Sequence, residues 1–314
     1  MSEFRKLIDV HAHVFPDKIA RRAADNVANY YDLVMEADGT VAGLLAGAEG
    51  LDARFVISSA ALKAEHVATG NDFLLAAAAA EPRFIPLASV HPDMGAAAAV
   101  DELERVKARG ARGVKLHPDF QRFVVDREDM FPVYEACAAL GLPVLFHVGD
   151  QNSDASSPAR VRHIAERVPA LKVIAAHMCG YSVWDEAERE LIGTSVYTDT
   201  SDALIGLPPE RVYALIEKHG VTRVMFGSDY PLRRTRADSS ENGRRFVRGV
   251  KKCKKPLDKP AKLVYSKSNL NDTGAVSILM SKASAAKFYF FSFTYFYYGK
   301  AFSRFAAREN ESVN

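Results

Sequence analysis

The sequence predicts an α/β fold, a (β/α)8 TIM barrel, and three observations carry that prediction. Short apolar or β-branched runs alternate with helix-compatible stretches, and eight such runs lie between residues 7 and 230. Seven of the eight are followed by a helical stretch, the arrangement of parallel βα units, since parallel strands need a crossover of about a dozen residues or more. Polar residues collect where the runs end, which is where barrel enzymes place their chemistry.

The first run, LIDVHAHV (7–14), sets His11 and His13 two residues apart, so strand alternation turns both imidazoles to one face. FVISSAA (55–61) and FIPLASVHP (84–92) follow, the latter ending in His91. ARGVKLHP (111–118) carries Lys115 and His117 on one face. His91 and His117 each precede a proline, which favours extended backbone at a strand exit and suits loop-fixing or supporting roles. PVLFHV (143–148) carries His147 at its end and KVIAAHM (172–178) carries His177, SVYTDTS (195–201) is the seventh run, and RVMFGSDY (223–230) carries Asp229 at its end. The intervening NDFLLAAAAAEP and MGAAAAVDELERVKARG are rich in Ala, Leu, Glu and Arg, which lose little side-chain freedom in a helix. An open doubly wound sheet is the alternative, but no GxGxxG follows the first strand.

The 314 residues, 48% hydrophobic and 25% charged, are enough for one large domain with its own core. Three cysteines without a CxxC pair exclude a disulfide scaffold and fit a reducing compartment. No run of about 18 apolar residues occurs, and charges interrupt the first residues where a secretion signal would need an apolar core. A cytoplasmic location, no membrane span and no nucleic-acid partner are expected, with a homodimer as a further expectation.

Charge divides the chain. Residues 1–232 hold 23 Lys and Arg against 33 Asp and Glu, whereas residues 233–314 hold 18 against 6. The expected domains are therefore a barrel over 1–232 and a basic, aromatic-rich tail over 233–314. The tail contains FYFFSFTYFYY (288–298), too short to span a bilayer and aggregation-prone if exposed. A barrel needs a last helix over its eighth strand. Only a poor helical pattern near 275–290 offers one, so the tail replaces the usual last helices.

Six of the nine histidines fall on or at the end of a strand. Neutral imidazole and carboxylate are ligands for zinc and similar ions, and a catalytic ion needs three or four of them with an open position. His11, His13, His147 and Asp229 can supply that set.

IDVHAHVFP, GVKLHPDFQRF, LPVLFHVGD, VIAAHMCG and MFGSDYP together resemble the amidohydrolase superfamily, over about residues 5–232. The nearer resemblance is to its aminocarboxymuconate semialdehyde decarboxylase-like branch. The resemblance implies one divalent ion, zinc being expected, held by His11, His13, His147 and Asp229. It implies a small-molecule substrate whose carbonyl, lactone or amide is attacked by a zinc-activated water; such an ion lowers the pKa of its water from about 15.7 toward 7. Asp229 would carry the proton and His177 would stabilise charge on the attacked oxygen. The alternatives are non-oxidative decarboxylation of a carboxylated ring or muconate-like compound, and a barrel impaired by its anomalous C-terminus. Some superfamily members carbamylate a lysine at the Lys115 position to bridge two metals; otherwise Lys115, with His117 and Arg122, would bind substrate. Tyr181 and Trp184 can line the pocket, and Cys179 needs no redox role.

Overall fold

The computed structural model of the chain describes residues 7–235, 262–263 and 280–281. Eight strands, β1 (Leu7–His13), β2 (Ala53–Ser58), β3 (Phe84–Ala88), β4 (Gly113–Leu116), β5 (Val144–Phe146), β6 (Val173–Ala175), β7 (Tyr197–Asp199) and β8 (Val224–Met225), pair in sequence order. Every pairing is parallel. The ring closes through backbone bonds between β1 and the β8 exit. Val10 N donates to Phe226 O at 2.9 Å, His13 N to Tyr230 O at 2.7 Å, and Asp229 N to His11 O at 2.9 Å. The chain is a (β/α)8 barrel, as its alternating pattern predicts.

Ten helices are described: α1 (Asp17–Tyr31), α2 (Val41–Gly47), α3 (Val67–Ala80), α4 (Ala96–Ala108), α5 (Pro118–Gln121), α6 (Phe131–Ala139), α7 (Pro158–Arg167), α8 (Trp184–Glu190), α9 (Ala203–Gly206) and α10 (Pro209–His219). The alanine-rich stretch of α3 turns Val67, Leu74 and Leu75 inward, and Leu74 joins Phe55, Ile57 and Phe84 in a core cluster. The strands are shorter than the apolar runs suggest. KVIAAHM pairs only over Val173–Ala175, because the chain then enters a turn with positive φ from His177 onward that presents this side chain.

Asn71 shows how α3 is tied to the β3 exit. Its side-chain amide donates to Ser89 O (2.9 Å) and Glu102 Oε1 (2.6 Å), and its oxygen accepts from Ser89 N at 2.7 Å. It is only 1% exposed. Asn71→Ala would leave the Ser89 amide and carbonyl buried and unpaired, at about 1–3 kcal/mol. A lower urea midpoint at unchanged slope is the expected result, and an unchanged midpoint would mean that water replaces the amide.

The chain divides into two units. The first contains the whole barrel. The first residues beyond the charge break bond to it: Thr235 Oγ1 donates to the buried Asp9 Oδ2 at 2.9 Å, Arg233 Nη1 to Val34 O at 3.2 Å, and Arg234 N to Glu36 Oε2 at 3.1 Å. Of the second unit, Lys262–Leu263 (β9) pairs antiparallel with Met280–Ser281 (β10). Residues 280–281 are thus in a strand within the segment read as a helix over 275–290; the rest of that segment, and FYFFSFTYFYY, lie outside the described residues. Among the described residues no helix is long and apolar enough to cross a membrane.

Candidate active site

Four of the polar side chains that the sequence places at strand ends meet at the C-terminal mouth. His11 Nε2 lies 3.1 Å from His13 Nε2 and 3.1 Å from Lys115 Nζ. Asp229 Oδ1 lies 3.2 Å from both imidazole Nε2 atoms. The register of β1 against β2 shifts between Asp9 and Ala12, where the histidine pair is set.

The outer bonds fix the tautomers. His11 Nδ1 is 3.1 Å from Asp199 Oδ2, an acceptor only, so this nitrogen carries the proton and Nε2 offers its lone pair. His13 Nδ1 bonds Ser58 Oγ at 3.2 Å. A tetrahedral zinc ion with bonds of about 2.0–2.1 Å sets its ligands about 3.3 Å apart. The donor spacing and the inward lone pairs therefore suit a divalent cation.

His147 stands beside this trio rather than inside it. Its Nε2 is 3.0 Å from Gly149 O, which places the proton there and leaves Nδ1 the acceptor, 2.9 Å from His177 Nε2. The compact donor groups are His11–His13–Asp229, His11–His177–Asp199, His177–Asp202–Asp229 and His117–Asp119–His147.

Burial governs the charges. It pushes His11 down to about 4, with the Lys115 ammonium adding to the effect, so the ring is neutral at pH 7. It pulls Lys115 down to about 8 against the opposing pull of Asp229 and Asp199. His117 and His147 are driven well below the usual histidine range by burial and neighbouring positive charge. Asp229 and Asp199 run the other way: burial disfavours their charge, but the surrounding imidazoles, His11 first, outweigh it and hold both below the usual carboxylate range. Asp202 is raised by burial and by Asp229. For His177, burial is outweighed by the bond and charge of Asp202, so its charged form is favoured.

His177 rests on strained backbone. His177, Met178 and Cys179 all have positive φ (60, 52 and 67°), as do Asp202 (56°) and Asp229 (55°). Each such residue costs about 1–2 kcal/mol. The turn is held by Met178 N donating to Asp199 O (2.8 Å), Cys179 N to Thr198 Oγ1 (2.9 Å) and the Trp184 indole to His177 O (2.9 Å). Gly206 makes room for that indole, since a Cβ there would lie 2.2 Å from the Trp184 ring. Trp184 thus supports His177 from beneath and is not simply pocket lining. Cys179 is fully buried and its thiol is pushed up to about 12, consistent with packing alone.

Rings close the mouth around His147. Tyr31, at the end of α1, sets its hydroxyl 3.2 Å from His147 Nε2, and its ring centroid lies 5.0 Å from Tyr181 and 5.6 Å from Phe120. His117 stacks between Phe120 and His147. His91 is buried and accepts from Asp93 N at 3.2 Å, a capping role. Arg122 is exposed at the C-cap of α5, and no hydrogen bond joins it to the cluster.

Sequence reasoning missed Asp9, Asp199, Ser201, Asp202 and Tyr31. Ser201 Oγ reaches His177 Nδ1 (2.8 Å), His11 Nδ1 (3.2 Å) and Asp199 Oδ1. A signal existed for three of them: SVYTDTSD ends the seventh unit, and the rule that polar residues at strand ends face the mouth selects Asp199, Ser201 and Asp202. Tyr31 gave none, because a tyrosine ending an amphipathic helix reads as packing.

The model of the amidohydrolase family matches residues 8–257. The chain belongs to that family. The protein is accordingly an enzyme of the metal-dependent amidohydrolase superfamily, and the match runs past the charge break at residue 232. No curated protein matches it. Among solved structures, an uncharacterized TIM-barrel protein from Bordetella bronchiseptica is similar at a TM-score of 0.60 and 19% identity, covering 78% of this chain and 91% of its own. A dihydroxybenzoic acid decarboxylase from Polaromonas, with bound manganese and 2-nitroresorcinol, is similar at 0.56 and 20%, covering 77% and 94%. A 5-carboxyvanillate decarboxylase from Sphingomonas paucimobilis gives 0.55 and 17%, covering 81% and 94%. At these identities the likeness is one of fold.

Proposed function

We propose that the protein uses a single divalent ion to decarboxylate a carboxylated ring compound without an oxidant. The observation that carries the reading is the convergence of His11 Nε2, His13 Nε2 and Asp229 Oδ1 beside a wall of aromatic rings, Tyr31, Phe120 and Tyr181. Such a wall accepts a planar ring. Decarboxylases among the similar folds agree with it, and they move decarboxylation ahead of the hydrolysis that the sequence suggests first. Hydrolysis of a carbonyl, lactone or amide is the second reading, favoured by a similar fold named as a putative 2-pyrone-4,6-dicarboxylic acid hydrolase from Pseudomonas putida (TM-score 0.50, 20% identity, covering 78% of this chain and 89% of its own).

In this reading His11, His13 and Asp229 hold the ion, zinc or manganese, and His147 completes the set when its Nδ1 exchanges the His177 N–H for the ion. When bound, the ion supplies a Lewis acid that draws electron density from a substrate oxygen. Asp229, ionised at rest, takes a proton from water and delivers it to the ring carbon as the C–C bond breaks and the carboxylate leaves as carbon dioxide. His177, favoured in its charged form, faces the substrate oxygen and offsets its negative charge. Lys115, with Nζ 3.1 Å from His11 Nε2, needs no carbamate in this reading. Tyr31 and Tyr181 keep water from the reacting carbon.

Metal analysis of full-length protein, followed by assays for released carbon dioxide with hydroxybenzoates and for acid release with lactones, tests this. One ion per chain and carbon dioxide release support decarboxylation. Lactone opening alone selects the second reading, and folded protein that takes up no ion defeats both.

A further inference from the structure

His117 and Asp119 stand beside His147, at the edge of the His11–His13–Asp229 group, without a part in that chemistry. One ring nitrogen of His117, one of His147 and one carboxylate oxygen of Asp119 lie within 4.8 Å of one another. His117 cannot easily turn. Its ring is stacked on His147 (centroids 3.9 Å apart, planes at 8°) and on Phe120 (4.0 Å, 11°). Its Nδ1 caps α5 by accepting from Phe120 N at 3.4 Å. An accepting Nδ1 puts the proton of the neutral ring on Nε2. Among the described residues nothing accepts that proton, although the residue is only 7% exposed.

Asp119 is the complement. Ser156 Oγ donates to Oδ2 at 2.6 Å, which fixes the carboxylate, while Oδ1 is buried with no partner. A buried acceptor left open costs about 1–3 kcal/mol, and the His117 ring, with its unpartnered donor, lies in the same group. A metal ion does not suit them, because His117 Nε2 presents a proton and not a lone pair. A carboxylate would meet the charge of Asp119. A hydroxyl satisfies both, since it accepts one hydrogen bond and donates another.

We infer that His117 and Asp119 form a specificity pair for a substrate hydroxyl, with Nε2–H donating to the hydroxyl oxygen and the hydroxyl donating to Asp119 Oδ1. The inference rests on the carboxylated-ring reading and adds that the ring carries a hydroxyl away from the reacting carboxylate. An ether oxygen would satisfy His117 and leave Asp119 unpaired.

Titration calorimetry on metal-loaded, full-length protein tests the pair, with benzoate, 3- and 4-hydroxybenzoate, and 3- and 4-methoxybenzoate as probes. At least one hydroxybenzoate should bind about tenfold tighter than benzoate and its own methyl ether, since a site built around a hydroxyl rejects analogues lacking it. In Asp119→Ala, and separately in His117→Phe, which keeps the ring stack, that ratio should fall toward one. Benzoate binding with no hydroxyl advantage, or an advantage that survives both substitutions, overturns the pair. A second equivalent of bound metal, lost in Asp119→Ala, also overturns it by making the group a cation site. If protein holding one ion per chain binds none of the five acids, the carboxylated-ring reading itself falls and takes the inference with it.

Discussion

Asp229→Asn is expected to reduce turnover by at least about a thousandfold and to lower bound metal well below one ion per chain, as loss of a charged ligand that also carries the proton should. Asp229 Oδ1 is 3.2 Å from both His11 Nε2 and His13 Nε2, so it completes a compact donor group. Asparagine has nearly the same shape and tolerates the positive φ of 55° at this position. The main-chain bond from residue 229 to His11 O that helps close the barrel is also kept. Thermal unfolding of the metal-free proteins should therefore differ little, while metal content and turnover of the variant collapse together. A variant that keeps its ion after a chelator wash and still turns over would remove Asp229 from the centre of the mechanism.

His177→Asn should behave differently. Turnover is expected to fall by about 10²–10⁴, the range for losing a positioned acid–base or charged group, with bound metal near the wild-type amount. His177 is linked to the ligand set through His147 Nδ1 at 2.9 Å and is held from behind by Ser201 Oγ (2.8 Å) and Asp202 Oδ2 (3.2 Å). Asparagine suits the left-handed backbone that precedes Met178 and Cys179, so the loss is not confounded with added strain. If metal is lost as well, His177 is itself a ligand and His147 is displaced from that role. Assaying both variants side by side separates groups that hold the ion from groups that act on the substrate.

The barrel was legible because its signal is local. A strand declares itself by a few consecutive apolar residues and a helix by its composition, and eight repetitions leave little choice of topology. The histidine pair was legible for the same reason: two residues apart on a strand is a same-face relation that no distant contact can undo. The resemblance motifs were local too, and the family match bears them out while carrying the relationship past residue 232. Arg122 is the counter-example. Its neighbour in sequence, Gln121, is buried and spans Ala61 O (3.0 Å) and Val90 O (2.8 Å), whereas Arg122 faces solvent. A single residue step around a short helix decided which of them met the interior.

By itself the sequence determined the order of the strands, the mouth at which their polar ends meet, and the presence there of imidazoles and a carboxylate suited to a divalent ion. Only the tertiary structure decided which atoms converge. It drew Lys115 onto His11, set His147 beside the His11–His13–Asp229 trio, and brought in Asp199 from the end of β7 and Asp202 from just beyond it to fix tautomers and charge. The physical reason is that a strand's inward face follows from neighbours two residues away. A tautomer or a shifted charge follows from groups such as His11 and Asp199, which are 188 residues apart in the chain and meet only when the barrel closes.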